Sequence, residues 1–269
     1  MLTGQMRTPV RYLILAIGVA QAVAAVALFV QLPIATQLWP FQGTTALTFI
    51  FVASIFAAGA ASQIWSAATE NYGAMAGIGL DYVAIFAALT VISLGISGAD
   101  QATRLIFAAI SAATAVFGLA LFLWARRIAI DPDPPQPRLV RWSFLVFVVG
   151  LVVVGGLSVT GVSNVIPWQV TPELAAVVGW MFIGAAMYFL YSLLRPSWLN
   201  SAGQLLGFLA YDLVLIVPFL TRLPTTPSNF MLGLIVYTAV LIYSGALAIY
   251  YLFINEPTRR RTWRRSGVS

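Results

Sequence analysis

The chain has 269 residues, 61% hydrophobic and 8% charged, with a net charge of +6. A water-facing surface needs charge several times denser, so a soluble globular domain is excluded. Cysteine, histidine and lysine are all absent, which removes disulfides, thiolate or imidazole ligation of metals and haem, histidine bases and lysine Schiff bases; carboxylates, hydroxyls and fourteen arginines are left to carry chemistry.

Apolar runs of about 20 residues, each enough for a helix to cross roughly 30 Å of hydrocarbon, predict eight transmembrane helices near 11–32, 45–67, 74–97, 103–125, 142–162, 173–194, 203–222 and 230–254. Arg7 and Arg11 precede the first run, but Tyr12 to Leu32 is too long for a cleaved signal sequence and reads as the first membrane helix. Turn signals fall at Trp39-Pro40, at Gly95 to Gly98, in the Asp131-Pro132-Asp133-Pro134-Pro135 stretch, and at Pro224 to Pro227. Thr171-Pro172-Glu173 reads as a helix start: a hydroxyl cap, proline in the first turn, and an acid facing the positive end of the dipole.

Basic residues flanking a span stay on the cytoplasmic side during insertion. With the N-terminus inside, Arg7, Arg11, Arg126, Arg127, Arg138, Arg141, Arg195, Arg259, Arg260, Arg261, Arg264 and Arg265 are all cytoplasmic, leaving only Arg104 and Arg222 outside. This predicts cytoplasmic termini in a bacterial inner membrane. The clustering beside apolar spans points to headgroups as the basic residues' partner rather than nucleic acid.

The halves resemble each other. Val10-Arg11-Tyr12 matches Val140-Arg141-Trp142, Trp39-Pro40 matches Pro167-Trp168, Trp65 matches Trp198, Asp81 matches Asp212, and Thr114-Ala115-Val116 matches Thr238-Ala239-Val240. Colinear matches at similar offsets predict an all-α fold of two parallel four-helix repeats, 1–125 and 142–254, joined by a cytoplasmic linker at 126–141 and followed by a basic tail at 255–269. Small residues at Gly73 and Gly77, at Ala53, Ala57 and Ala61, and at Gly150, Gly155 and Gly156 predict close helix approach. Trp39, Trp65, Trp124, Trp142, Trp168 and Trp198 lie near span ends, where an aromatic belt is expected. Trp39-Pro40-Phe41 and Pro167-Trp168-Gln169-Val170-Thr171-Pro172, each leading into a span rich in small residues, resemble a repeated unit of uncharacterised bacterial multi-pass membrane proteins. That resemblance covers the second and sixth helices with the loops before them, and implies no activity.

Two acids lie well inside predicted spans, Asp81 and Asp212, each beside a tyrosine, Tyr82 and Tyr211. Both are expected on the cytoplasmic side of the midplane at equivalent positions. An ionisable side chain at such depth marks a functional candidate. Three readings are open: each aspartate hydrogen-bonds to a neighbouring helix and fixes the bundle; the pair lines a shared cavity at the repeat interface and binds a proton, a cation or a cationic substrate; or the pair is a carboxylate dyad. For the last, Gly77-Ile78-Gly79-Leu80-Asp81 and Tyr211-Asp212 are similar to the GxGD and YD motifs of presenilin-like peptidases. Leu80 intrudes before the aspartate, however, the motif order is reversed, and no Pro-Ala-Leu follows. A one-residue shift turns the acid about 100° around its helix.

Further candidates are Arg195, as a partner of Glu70 or of a lipid phosphate, and Arg259, Arg260 and Arg261, as ligands of anionic headgroups. Asn200 lies close to Arg195; Tyr237, Tyr243 and Tyr250 suggest a polar stripe on the last helix; Pro218 suggests a kink beyond Asp212. No cofactor, metal or catalytic residue is implied. The sequence thus predicts a non-enzyme that binds or passes a small solute, ion or lipid at the repeat interface. The alternative is a structural or assembly subunit whose partners are other membrane subunits, and intramembrane aspartyl peptidase is the third reading.

Overall fold

A computed structural model describes residues 4–41, 43, 45–96, 100–132 and 134–264, without the side chains of 4–8. Gly98, Asp133, Arg265 and the Arg7 side chain lie outside the described residues. Helices are α1 (Gly4–Phe29), α2 (Pro33–Leu38), α3 (Ala46–Thr69), α4 (Met75–Leu94), α5 (Gln101–Ala125), α6 (Arg138–Val159), α7 (Pro172–Leu194), α8 (Trp198–Arg222), α9 (Ser228–Ile249) and α10 (Glu256–Thr262), with no strand among the described residues. All but the short α2 and α10 are long and apolar enough to cross a membrane, eight spans in total. A 3-10 turn, Tyr72–Ala74, leads into α4, and α9 continues as a π-turn, Tyr250–Ile254. The end of the bundle where α1 begins and α9 finishes is called proximal below, the other distal.

Side-chain caps explain where several helices start. Asp100 accepts from the Thr103 amide at 2.9 Å before α5, and Thr171 accepts from Leu174 at 3.2 Å before α7, as the Thr-Pro-Glu signature predicts. Ser197 accepts from the Asn200 amide at 3.2 Å, and the Trp198 amide donates to the Pro134 carbonyl at 3.1 Å, so α8 begins five residues before the predicted 203. That early start matters below, because it sets the depth of Asp212.

Helices pair as α1 with α3, α4 with α5, α6 with α7 and α8 with α9; the inner contacts are α3 with α8 and α4 with α7. Backbones meet most closely at two glycine crossings. A Cβ on Gly79 would lie 2.7 Å from the Gly118 carbonyl, and one on Gly155 would lie 2.7 Å from the Gly179 carbonyl. Of the small residues expected at crossings, Gly155 serves; Gly150 and Gly156 face open space. Gly73 and Gly77 instead make room for the side chains of Ile130 and Tyr188.

The aromatic belt needs correcting. Trp142 is 66% exposed and suits a lipid-facing place, but Trp65, Trp168 and Trp198 are buried in the bundle. Trp168 packs on Phe51 and Phe219 in a distal core cluster that also holds Phe182 and Tyr211. Trp65 and Trp198 face the proximal end, where α10 folds back. The Trp65 indole donates to the Thr262 carbonyl at 2.9 Å and the Trp198 indole to the Thr262 hydroxyl at 3.0 Å. Within the expected headgroup-binding tail, residues 256–262 form a docked helix: Arg261 pairs with Asp131 in the linker, Arg260 pairs with Glu256 on α10 itself, and Arg259 is exposed.

Candidate functional site

α3, α4, α7 and α8 converge in the proximal half of the bundle, and Tyr188 of α7 is the side chain that spans their meeting point. Its ring packs where a Cβ on Gly77 of α4 would be, and its hydroxyl lies 3.3 Å from where a Cβ on Gly203 of α8 would be. Ser62 of α3 donates to the Gly203 carbonyl at 2.7 Å, and the Gln204 amide donates to the Tyr188 carbonyl. The Tyr188 hydroxyl is buried with only Ser62 for a hydrogen-bonding neighbour, and the Gln204 side-chain oxygen is buried without a hydrogen-bond partner among the described residues. Polar groups are thus imported into a low-dielectric centre and left incompletely paired, which is costly unless something occupies them.

Asp81 lies beside this centre. It is six residues past Met75, about 9 Å into α4 at the helical rise. Its Oδ1 would stand 2.5 Å from a Cβ on Gly184 of α7, so only glycine there leaves room for the carboxylate. The side chain remains partly accessible, and no hydrogen bond or opposite charge from the described residues compensates it. Next to it, Tyr82 enters a second cluster. The Gln21 amide of α1 donates to the Tyr82 hydroxyl; the Gln63 amide of α3 donates to the same hydroxyl at 2.5 Å and to the Gln21 oxygen at 2.9 Å. With its oxygen accepting twice, Tyr82 keeps its own proton to donate.

Asp212 is elsewhere. It stands fourteen residues past Trp198, about 21 Å into α8, and faces α9, where Gly245 leaves a gap beside Oδ2 at 3.5 Å. It is 3% exposed, and both carboxylate oxygens lack a hydrogen-bond partner among the described residues. The neighbouring Ser244 hydroxyl spends its proton on the Val240 carbonyl at 2.7 Å. No hydrogen bond or electrostatic interaction joins the two aspartates. The expected equivalence fails for a definite reason. Inner-helix contacts match Gly77 with Gly203 and Asp81 with Gly207: Gly77 faces Tyr188 as Gly203 faces Ser62, and Asp81 faces Gly184 as Gly207 faces Ala58. A glycine, not Asp212, stands where α8 matches Asp81. Tyr211 accordingly packs in the distal aromatic core, stacked on Phe208, apart from Tyr82. Trp65 and Trp198 likewise belong to the end of α3 and the start of α8, so they are not counterparts in this register.

No known family, characterised protein or solved structure matches this chain. What the site does must be argued from its own chemistry. Among the described residues no three acids gather into a metal-binding group. Glu70 does not reach Arg195; it lies 3.9 Å from Arg11 of α1, and it ends α3 in a left-handed conformation with φ of 59°. Asn200 donates to the Arg195 carbonyl at 3.0 Å. The tyrosines of α9 form no common stripe: Tyr243 shares a 2.6 Å hydrogen bond with Ser143 of α6, whereas Tyr237 packs edge-on to Phe182 and Phe219. α8 runs through Pro218 without a break. Sequence reasoning missed Gln21, Gln63, Ser62, Tyr188 and Gln204. The signal was present, since amides inside apolar spans cost nearly as much attention as acids.

Proposed function

We propose that this protein binds and passes a proton or a small cation at the crossing of α3, α4, α7 and α8, with Asp81 as the acidic ligand. The observation that carries the reading is a partly buried carboxylate inside an apolar span, uncompensated among the described residues, beside the Tyr188 phenol and a Gln204 side-chain oxygen that is buried and unpaired. An aspartate inside a span costs roughly 2.5–3.5 kcal/mol on insertion scales, and a site that later takes a proton or cation recovers that cost. Tyr82 and Tyr188, the two phenols that interact electrostatically with Asp81, supply neutral oxygens beside it, as proton relays and cation sites use.

The same proposal sets the protein in a bacterial cytoplasmic membrane with both termini inside, supported by the sequence order of spans and arginines, which puts twelve of fourteen arginines on the N-terminal side of the membrane. It also takes the halves as a duplication, supported by the matched inner contacts at a shift of 126 residues rather than by the two aspartates.

The test is reconstitution of the purified chain in vesicles with a pH gradient or a sodium or potassium gradient. Flux is expected, abolished by Asp81→Asn and retained by Asp212→Asn. Flux that survives Asp81→Asn overturns the reading. A chain that is inert alone and copurifies with stoichiometric membrane partners replaces it with the assembly-subunit reading.

A further inference from the structure

We propose that Arg126, Arg195 and Tyr191 form a site for the phosphate of an anionic phospholipid, which bridges α5 and α7 at the proximal face. Arg126 caps α5 and lies over the Phe122 ring at 5.4 Å; that ring meets Tyr191 of α7 edge-on at 6.0 Å. Arg195 ends α7 one turn beyond Tyr191 and so shares its face. Both guanidiniums act electrostatically on the Tyr191 hydroxyl. The two helix ends therefore bring two cations near one phenol.

No acid or hydrogen-bond partner among the described residues satisfies this group. Neither arginine takes part in an ion pair among the described residues, unlike Arg11, Arg260 and Arg261. Tyr191 is only 8% exposed, yet its hydroxyl makes no hydrogen bond among the described residues. Each helix C-terminus carries roughly half a negative charge. Two arginines over two such ends leave about one net positive charge, the complement of one phosphodiester. Guanidinium binds phosphate oxygens through paired, charge-assisted hydrogen bonds, and the phenol adds a third donor. Phosphate chemistry alone does not separate a lipid from a free ion. The surroundings do, because Leu123 and Leu194 lie exposed beside the arginines on the lipid-facing surface and offer acyl chains a place to lie. This site is independent of Asp81 and separate from the arginines of α10.

Thermal unfolding of the full chain in neutral detergent tests it, with added phosphatidylglycerol, phosphatidylcholine or inorganic phosphate. Phosphatidylglycerol is expected to raise Tm of the wild type where phosphatidylcholine and inorganic phosphate do not. The shift is expected to vanish in Arg126→Gln with Arg195→Gln, and to persist in Arg259→Gln with Arg264→Gln. Tyr191→Phe keeps the ring contact and folds as the parent does; it is expected to need severalfold more phosphatidylglycerol for the half-maximal shift. An equal shift with inorganic phosphate makes this a soluble-anion site and overturns the lipid assignment. A shift unchanged by Arg126→Gln with Arg195→Gln, or by Tyr191→Phe, overturns the site itself, as does an equal loss in the tail variant.

Discussion

Replacing Thr262 by valine removes one hydroxyl from the join between α10 and the bundle and leaves the side-chain volume almost unchanged. Thr262 and Trp198 are both fully buried, and the Trp198 indole donates to the hydroxyl being removed. The hydroxyl itself donates to the Thr258 carbonyl at 2.7 Å. The Trp65 bond survives, because it uses the Thr262 main-chain carbonyl. An indole N–H left buried and unpaired costs about 1–3 kcal/mol. Arg261→Gln removes the more conspicuous contact, the ion pair with Asp131, whose side chains are 23% and 45% exposed. At that exposure screening and side-chain entropy hold the pair to about 1 kcal/mol or less. Hydrogen exchange followed by mass spectrometry over residues 256–262 reads the difference as local opening of α10. Thr262→Val is expected to speed exchange by roughly 5- to 150-fold, and Arg261→Gln by less than about fivefold. A larger effect from Arg261→Gln, or none from Thr262→Val, would refute the claim that buried indoles rather than surface charge hold the helix down.

Gly184→Ala drives a methyl into Asp81 and Ile85 and is expected to destabilise by about 1–3 kcal/mol through overpacking; the penalty should shrink when combined with Asp81→Ala, and strict additivity in a double-mutant cycle refutes the contact. Gly118→Leu should lower Tm sharply by forcing α4 and α5 apart, whereas Gly150→Leu, with nothing within 4 Å, should leave it almost unchanged. At the distal surface, the Thr103 backbone and side-chain hydrogen bonds hold the Asp100 carboxyl below its ordinary value of 3.8. Its folded value is depressed, so the stability it lends the start of α5 is present above the ordinary value and lost as pH falls through the folded one. Exchange at the first turn of α5 should therefore rise only in acid, and Asp100→Asn should remove that dependence.

Span count and approximate limits were legible because hydrophobic length is a property of the chain alone. Azimuth is not, and every miss is a miss of azimuth or register. Trp65, Trp168 and Trp198 sit near span ends as headgroup anchors do, but the same spacing serves an indole pointing inward at Thr262 or at Phe51. Asp81 and Asp212 looked equivalent because their nearly constant offset was counted along the chain, while Ser197 started α8 early and, in the register of the inner contacts, left Asp212 about 7.5 Å beyond Gly207, the residue that matches Asp81. The arginine-rich tail offered charge but no hydrophobic run, so nothing announced that Thr258 and Thr262 would bury one face of α10. Asp81 was legible as a candidate, since a lone acid in an apolar span stands out. Its neighbours Tyr188 and Ser62 come from helices far along the chain, and only packing unites them.

The pairing of helices has a mechanical consequence. α1, α3, α8 and α9 form one leaf and α4, α5, α6 and α7 another, so each leaf is assembled from both halves of the chain. The covalent crossings between leaves, after Thr69 and after Leu194, both lie at the proximal end, where the Arg261 and Asp131 pair adds a third tie. At the distal end every connection stays within its own leaf, and the seam is closed by side chains alone, chiefly Phe51 and Tyr237 against Phe182. Covalent joints between the leaves thus gather at the proximal face like the spine of a book, and rings meet across the distal edge of its pages.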